Sequence, residues 1–238
     1  MPFSLPTEQD VAHAQACVAA LEGMLTESRR TRIEQVLSQR TRHVSVVLEN
    51  VYQSRNASAV MRSMDGLGLL DVHLIENENP WSRNKGVAKG ASQWLQLHRY
   101  LNAEDARSAC IDAIKARGVQ LVVTSPHAQG HTPETLPLDR PVALVMGTEF
   151  SGASPLMMER ADMFVEIPMH GFAESFNISV AAAIAMHALT RRIRQTPGWA
   201  LHPHEVDVLR AQWVCKSVRN ARGILARLGL SMPPELPS

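Results

Sequence analysis

Three clusters of polar side chains carry the residue types that could bind a ligand or act on it: Asn56–Arg62, Val145–Gly152 and Ile167–Ala183. Each cluster contains or follows a short apolar run of the kind that forms a buried strand. Open parallel sheets bind their ligands beyond the carboxyl ends of the strands. The three clusters are therefore the candidate ligand-binding segments of the chain.

The first cluster combines amide, hydroxyl and guanidinium groups. If Ser58 begins or caps a helix, Arg62 lies one turn further on and projects from the same face, with Asn56 in the preceding turn. An arginine can hold a phosphate through two parallel hydrogen bonds. The cluster indicates a phosphate contact, although a helix cap beside a solvated arginine would have the same sequence.

The second cluster is a turn bracketed by Gly147 and Gly152. Glycine lets the backbone approach a ligand closely, so exposed amide and carbonyl groups here could hold an adenine or a ribose. An ordinary tight turn after a buried strand would have the same sequence. Both interpretations remain open for this segment.

The third cluster is the most specific of the set. An apolar run ends at Ile167–Met169, an irregular polar loop follows, and Ser175, Asn177 and Ser179 lead into an alanine-rich helix. A helix of alanines has a thin surface, which permits close packing against backbone or against a second subunit. This segment predicts both a ligand-binding loop and a packing surface.

The fingerprints of other α/β sites are missing or incomplete. The stretch Gly147–Gly152 continues into Ala153-Ser154, where a P-loop needs Lys followed by Ser or Thr. The chain has no Gly-x-Gly-x-x-Gly after its first strand, no His-Glu-x-x-His and no Gly-x-Ser-x-Gly. Its three cysteines are far apart and never in Cys-x-x-Cys. We expect no nucleotide P-loop, no metal and no disulfide framework.

The elements that must position these clusters alternate between strands and helices. The strands read as continuous apolar runs, which is typical of a sheet covered on both faces. We predict an α/β domain with a mainly parallel sheet and helices on both faces. The strands are predicted at Val44–Leu48, Val72–Ile75, Val119–Thr124, Val142–Met146 and Phe164–Ile167, and helices at Ser58–Leu67, Ala103–Arg117 and Ile178–Arg192.

Helical segments are predicted at both ends of the chain. Thr7–Asp10 resembles a helix capping box, and Ala188–Leu230 holds eight Lys or Arg against two acids although the whole chain has a net charge of only +1. The predicted organisation is an N-terminal helical extension (1–42), a central domain (43–195) and a basic helical C-terminal extension (196–238). Without a signal-peptide pattern or a membrane-length apolar run, we expect a cytoplasmic protein.

The three clusters, in this order, resemble the three motifs of the SpoU branch of the SPOUT methyltransferases, and most of all its TrmH group of tRNA guanosine-2′-O-methyltransferases. Leu48–Tyr52 leading to Asn56–Arg62 is similar to the first motif. Met146–Glu149 and Ile167–Ala183 are similar to the second and third. The likeness spans about Ile33 to Arg194, and Phe176 departs from it because the family commonly has leucine there.

The resemblance implies a deep trefoil knot in the C-terminal part of the sheet, a homodimer joined at the knot, and S-adenosylmethionine held in the knotted loops. It places the cofactor against Thr124, Met146, Gly147, Ile167, Met169 and Phe176, and it places Asn56, Arg62, Glu149, Ser175 and Asn177 in the polar catalytic region. The resemblance also implies that Arg62 is the key catalytic residue. Because a guanidinium keeps its proton in proteins, we expect Arg62 to orient a phosphate and stabilise developing alkoxide charge.

The implied substrate is tRNA, with guanosine 18 of the D-loop as the favoured position. Ribosomal RNA is the alternative substrate. Two other functions are less favoured: a non-catalytic RNA-binding protein, and a methyltransferase that acts on small molecules or proteins. The basic terminal segments would suit the backbone of a folded RNA. The predicted RNA-binding residues are Arg29, Arg30, Arg32, Arg40, Arg42, Lys216, Arg219, Arg222 and Arg227.

Overall fold

The computed structural model describes residues 4–51, 53–76, 90–101, 105–126, 130–148 and 151–237. Contacts divide the chain into two units: Phe3–Arg40 joined to Ala200–Ser238, and Thr41–Trp199. The two terminal segments therefore belong to one unit, whereas the sequence analysis treated them as separate extensions. We refer to them as the terminal unit and to Thr41–Trp199 as the sheet unit.

The described residues form helices at both ends of the chain and a mixture of strands and helices between them. Short 3₁₀ turns occur at Glu22–Met24 and Ala91–Trp94. The helices are α1 (Glu8–Leu21), α2 (Glu27–Leu37), α3 (Ser54–Leu67), α4 (Ala106–Ala116), α5 (Pro155–Arg160), α6 (Ile178–Ile193), α7 (Pro203–Ser217) and α8 (Ala221–Arg227). The strands are β1 (Val44–Glu49), β2 (Asp71–Glu76), β3 (Gln96–Leu101), β4 (Gln120–Thr124), β5 (Val142–Met146) and β6 (Met163–Val165).

The six strands form one sheet in the order β3-β2-β1-β5-β4-β6, and every neighbouring pair is parallel. The register places Val46 beside Val72 on one side and beside Leu144 on the other. The predicted parallel α/β sheet is confirmed. One strand, β3, was absent from the sequence prediction.

Helices cover both faces of this sheet. On one face, alternate β1 residues such as Val46 and Leu48 pack in a core with Met64 of α3 and Leu189 of α6. The intervening Val47 is equally buried, because successive side chains of a strand point to opposite faces. Helix α4, which packs on β2, β3 and β4, covers that second face.

The terminal unit is built around α1 and α7, which pack against each other. Helix α1 begins at the capping box expected from Thr7–Asp10: the Asp10 N–H donates to Thr7 Oγ1 at 3.2 Å, and the Thr7 N–H donates to Asp10 Oδ2 at 2.9 Å. Its buried face repeats at helical spacing in Val11, Ala14 and Leu21. In the described part of the chain, no helix has the length and apolar character needed to cross a bilayer.

Candidate functional site

The three polar clusters lie at the same edge of the sheet, the one formed by the carboxyl ends of its strands. Because all six strands are parallel, the ends of β1, β5 and β6 face the same way. The first cluster follows β1, the second begins in β5, and the third begins just after β6. The structure therefore brings to one edge residues as far apart in the chain as Asn56 and Asn177, which are separated by 121 positions.

Asn56 and Asn177 connect the first cluster to the third. The Asn177 side-chain amide donates to Asn56 Oδ1 at 3.4 Å. Asn177 is also the N-cap of α6, where its Oδ1 accepts from the Ser179 N–H at 2.9 Å and from Ser179 Oγ at 2.6 Å. These contacts fix the amide of Asn177, which in turn holds Asn56, so the two amides are positioned as a pair.

Helix α3 begins earlier than the sequence indicated. Its N-cap is Gln53, and the Asn56 N–H donates to the Gln53 carbonyl at 2.8 Å. The sequence predicted that Ser58 begins or caps this helix. Ser58 does neither, and it is fully buried inside the helix. The expectation failed because Ser and Asn favour helix caps in general, whereas here both lie within the first turns.

Arg62 lies on the exposed side of α3. Neighbouring α3 residues Val60, Met61 and Met64 are fully buried, so Arg62 points away from the core. Among the described residues, Arg62 makes no hydrogen bond or ion pair. Its guanidinium is thus available to a phosphate at the edge where α3 follows β1.

The second cluster folds back on itself as a tight turn, which we call the glycine turn, bounded by Gly147 and Gly152. The Thr148 N–H donates to the Gly152 carbonyl at 2.8 Å, and the Gly152 N–H donates to the Thr148 carbonyl at 3.2 Å. Gly152 has φ +68°, which favours glycine. Glu149 lies outside the described residues, so its predicted role stays a prediction.

The other predicted cofactor residues follow the ends of the adjacent strands β4, β5 and β6. Thr124 closes β4, and its hydroxyl donates to the Val145 carbonyl of β5 at 2.7 Å. Met146 is buried, while Ile167 and Met169 are half-buried after β6. Ser175 and Phe176 are exposed in the loop before α6. Apolar side chains and backbone polar groups thus share this edge.

Glu49 is a residue of the first motif that lies at this edge and to which the sequence assigned no role. It ends β1 as a buried acid whose oxygens accept from Arg107 of α4 and from the backbone of Ser154, just beyond the glycine turn. The available signal was a charged residue closing an otherwise apolar strand. A charged residue at such a position is rarely buried unless it is paired.

A buried ion-pair network lies at the opposite, amino-terminal edge of the sheet. Arg42 donates to both oxygens of Asp71, at 2.7 and 3.0 Å, and His98 Nε2 lies 2.8 Å from Oδ1. Burial by itself would raise the pKa of Asp71, but the charge of Arg42 and the bond from His98 hold that pKa well below its usual range. Arg42 is therefore committed to Asp71, and the prediction that it faces RNA is wrong.

The predicted RNA-binding residues of the terminal unit differ in exposure. Arg40 is fully buried, with its guanidinium 5.1 Å from the ring centre of Trp213. It is therefore not available to an RNA phosphate, contrary to the prediction. Arg29 donates to Ser217 Oγ at 3.2 Å, and Arg30 pairs with Glu27 at 3.0 Å. The exposed members are Arg32, Lys216, Arg219, Arg222 and Arg227.

Comparisons with known proteins agree with this arrangement. Residues 43–187 match the model of the SpoU rRNA Methylase family. The chain is 39% identical over 204 residues to the tRNA (guanosine(18)-2′-O)-methyltransferase of Borreliella burgdorferi, covering 85% of this chain and 92% of that protein. Its fold is similar to the crystal structure of the Aquifex aeolicus TrmH/SpoU tRNA modifying enzyme, with a TM-score of 0.71, 28% identity, and coverage of 82% of this chain and 98% of that one.

A further solved structure holds a ligand. The AdoMet-bound rRNA methyltransferase from Sinorhizobium meliloti is similar with a TM-score of 0.54 and 26% identity, covering 65% of this chain and 58% of that one. AdoMet is S-adenosylmethionine.

Proposed function

The chain belongs to the SpoU methylase family, and from this premise we propose that it transfers a methyl group from S-adenosylmethionine to the ribose 2′-hydroxyl of guanosine 18 in tRNA. The observation that carries the proposal is the contact between Asn56 and Asn177, which joins the first and third motifs at one edge of the sheet. The relative with 39% identity carries that activity in its name. The chain is accordingly a tRNA methyltransferase that uses S-adenosylmethionine.

The residues at the ends of β4, β5 and β6 suit this cofactor. S-adenosylmethionine has an aromatic adenine, whose faces pack on apolar side chains and whose rim forms hydrogen bonds, and a charged methionine part. This edge offers half-buried Ile167 and Met169 and also the backbone of the glycine turn. We assign the cofactor to Thr124, Met146, Gly147, Ile167, Met169 and Phe176. When bound, S-adenosylmethionine supplies an already activated methyl group.

The protein's task is then to align the ribose oxygen and to stabilise the charge it develops. We assign the first role to Asn56, Ser175 and Asn177, because Asn177 caps α6 and its amide donates a hydrogen bond to Asn56. We assign the second to Arg62, whose exposed guanidinium can hold an RNA phosphate in two places and stabilise a neighbouring alkoxide. We propose that Glu149 also belongs to the polar catalytic region, as the family resemblance implies.

We further propose a homodimer that joins through the third motif and α6. Four apolar side chains in this stretch are exposed: Phe172, Phe176, Val180 and Ile184. Val180 and Ile184 are one turn apart on α6, next to small alanines that allow close approach. The trefoil knot implied by the resemblance belongs to the same proposal, as does a cytoplasmic location for an enzyme that acts on tRNA.

Methyl transfer from labelled S-adenosylmethionine to unmodified tRNA transcripts tests the activity. We expect label in the 2′-O-methylguanosine at position 18, and no label in a transcript whose guanosine 18 is replaced by its 2′-deoxy form. A ribosomal RNA transcript assayed in parallel should remain unlabelled. Label in ribosomal RNA alone, with cofactor binding intact, would contradict the proposed substrate.

A further inference from the structure

Glu49 is a buried acid at the last position of β1, with 1% of its surface exposed. Burying a carboxylate costs free energy unless its oxygens are paired or hydrogen-bonded. Both Glu49 oxygens are: Oε1 accepts from Arg107 Nε at 2.6 Å, and Oε2 accepts from the Ser154 N–H at 3.0 Å. The carboxylate therefore joins three segments, namely β1, α4 and the start of α5.

Ser154 stands at the exit of the glycine turn. It is the N-cap of α5, and its Oγ accepts from the Met157 N–H at 3.3 Å. The residue before it, Ala153, packs directly on the entrance of the turn: a Cβ on Gly147 would lie 2.2 Å from the Ala153 nitrogen and 2.1 Å from the Gly152 carbonyl carbon. A shift of Ser154 would therefore be transmitted to the Gly147 backbone.

We propose that Glu49 is a positioning residue for the cofactor, acting through Ser154 on the glycine turn. Its carboxylate fixes the exit of the turn, and the close packing of Ala153 on Gly147 fixes the entrance. The inference rests on the proposed function, because Gly147 is assigned there to S-adenosylmethionine. Glu49 itself touches neither substrate nor cofactor.

The variant Glu49→Gln tests this role. A glutamine has the same shape, but its NH₂ group faces one of the two donors, so one of the two links is lost. We expect the Kd and the KM for S-adenosylmethionine to rise about tenfold, the effect of losing a buried charge-assisted hydrogen bond. The KM for tRNA should stay within about twofold, since the hydrogen bonds of Glu49 run to Arg107 and Ser154, neither of which is assigned to the RNA. Calorimetric titration of the full chain and steady-state kinetics give both readouts.

Glu76→Gln is the matched control. Glu76 ends the neighbouring strand β2, is 3% exposed and pairs with Arg99 at 2.7 Å. Its loss should lower the melting temperature, as the loss of Glu49 does, while cofactor affinity stays within about twofold of wild type. Equal losses of cofactor affinity in both variants would show that Glu49 is only structural and would overturn the proposal.

A second pair of variants isolates the link through Ser154. Its φ is −63°, a value that proline adopts, so Ser154→Pro removes the donor N–H without demanding a new φ. Ser154→Ala keeps the N–H and loses only the cap. We expect S154P to reproduce the affinity loss and S154A to stay close to wild type.

Wild-type affinity in both E49Q and S154P would overturn the positioning role while leaving the proposed function intact. A wild-type chain that does not bind S-adenosylmethionine would overturn both.

Discussion

Arg62 and the two asparagines of the site occupy different environments, and this difference suggests different roles. Asn56 is nearly buried and is held by Asn177, which is itself fixed as a helix cap. Arg62 is exposed and makes no hydrogen bond or ion pair within the part of the chain that the structure describes. A fixed amide pair suits the orientation of a ribose, whereas a solvated guanidinium suits the capture of a phosphate.

Replacing Arg62 by lysine separates geometry from charge. Lysine keeps the positive charge but cannot form two parallel hydrogen bonds. We expect kcat to fall about 100-fold, the lower end of the effect of removing one hydrogen-bond donor to a developing oxyanion. The Kd for S-adenosylmethionine should not change. Single-turnover methyl transfer measures the first quantity, and calorimetric titration measures the second.

Arg55→Lys is the control for this prediction, because Arg55 is exposed in the first turn of the same helix. Its kinetics should match wild type. Activity of R62K close to that of wild type would show that two-point contact is unimportant and would remove the role assigned to Arg62.

At the scale of strands and helices, the elements with uniform apolar runs were predicted well and the mixed ones were not. The predictions for β2, β4 and β5 agree with the structure to within one residue at each end. Strand β3 was missed because its sequence, Gln96–Leu101, contains Gln, His and Arg. These polar residues are accommodated by acids of β2, as in the pairs His98 with Asp71 and Arg99 with Glu76.

The burial of individual residues also could not be predicted from the neighbouring sequence. Arg40 and Arg42 are basic like their neighbours, and nothing nearby in the chain marks them as buried. Their partners, Trp213 and Asp71, are distant in sequence. The link between Asn56 and Asn177 is likewise set by the strand order of the sheet, which only the family resemblance made predictable.

The pairing of β2 with β3 predicts acid sensitivity. Burial and, to a smaller extent, the charge of His98 lower the pKa of His73 from 6.5 to about 3. As pH falls below 6.5, the unfolded chain gains a proton that the folded chain excludes, so the free energy of unfolding falls until the pH nears the folded pKa. Because of His73 alone, the free energy of unfolding should fall by about 2 kcal/mol between about pH 7 and pH 5.

Urea unfolding of wild type and His73→Gln at fixed protein concentration measures this effect. The H73Q variant should lose less stability on acidification, by about the same 2 kcal/mol. Parallel pH dependence of wild type and H73Q would contradict the assigned cause.

For the whole molecule, the exposed apolar residues of α6 predict a dimer that can be broken. Val180 and Ile184 are 45% and 37% exposed, and aspartates in their places would put charges into the proposed interface. We expect the double variant V180D/I184D to elute as a monomer with its melting temperature lowered, whereas Leu228→Asp, in the terminal unit, stays dimeric. Light scattering after size-exclusion chromatography gives the mass, and a dimeric double variant would rule out this interface.

The modest net charge of the chain means that RNA affinity must come from local basic groups, and the exposed arginines of the terminal unit are the candidates. Arg219 and Arg222 are exposed at and near the start of α8. Each phosphate contact contributes a slope of about −0.9, or about −0.7 on single strands, to the dependence of log affinity on log salt. The variant R219Q/R222Q should therefore reduce the slope for tRNA binding by up to about 2, with the affinity loss greatest at low salt.

Arg160→Gln is the control, because Arg160 is already paired with Asp112 at 2.8 Å. Its salt slope should match wild type. Fluorescence titration of labelled tRNA between about 50 and 200 mM salt measures the slopes. Methylation should remain at guanosine 18 in R219Q/R222Q, since phosphate contacts position an RNA without reading its sequence. Unchanged slopes would move the RNA contact to Arg32, Lys216 and Arg227, the other exposed basic groups of the predicted set.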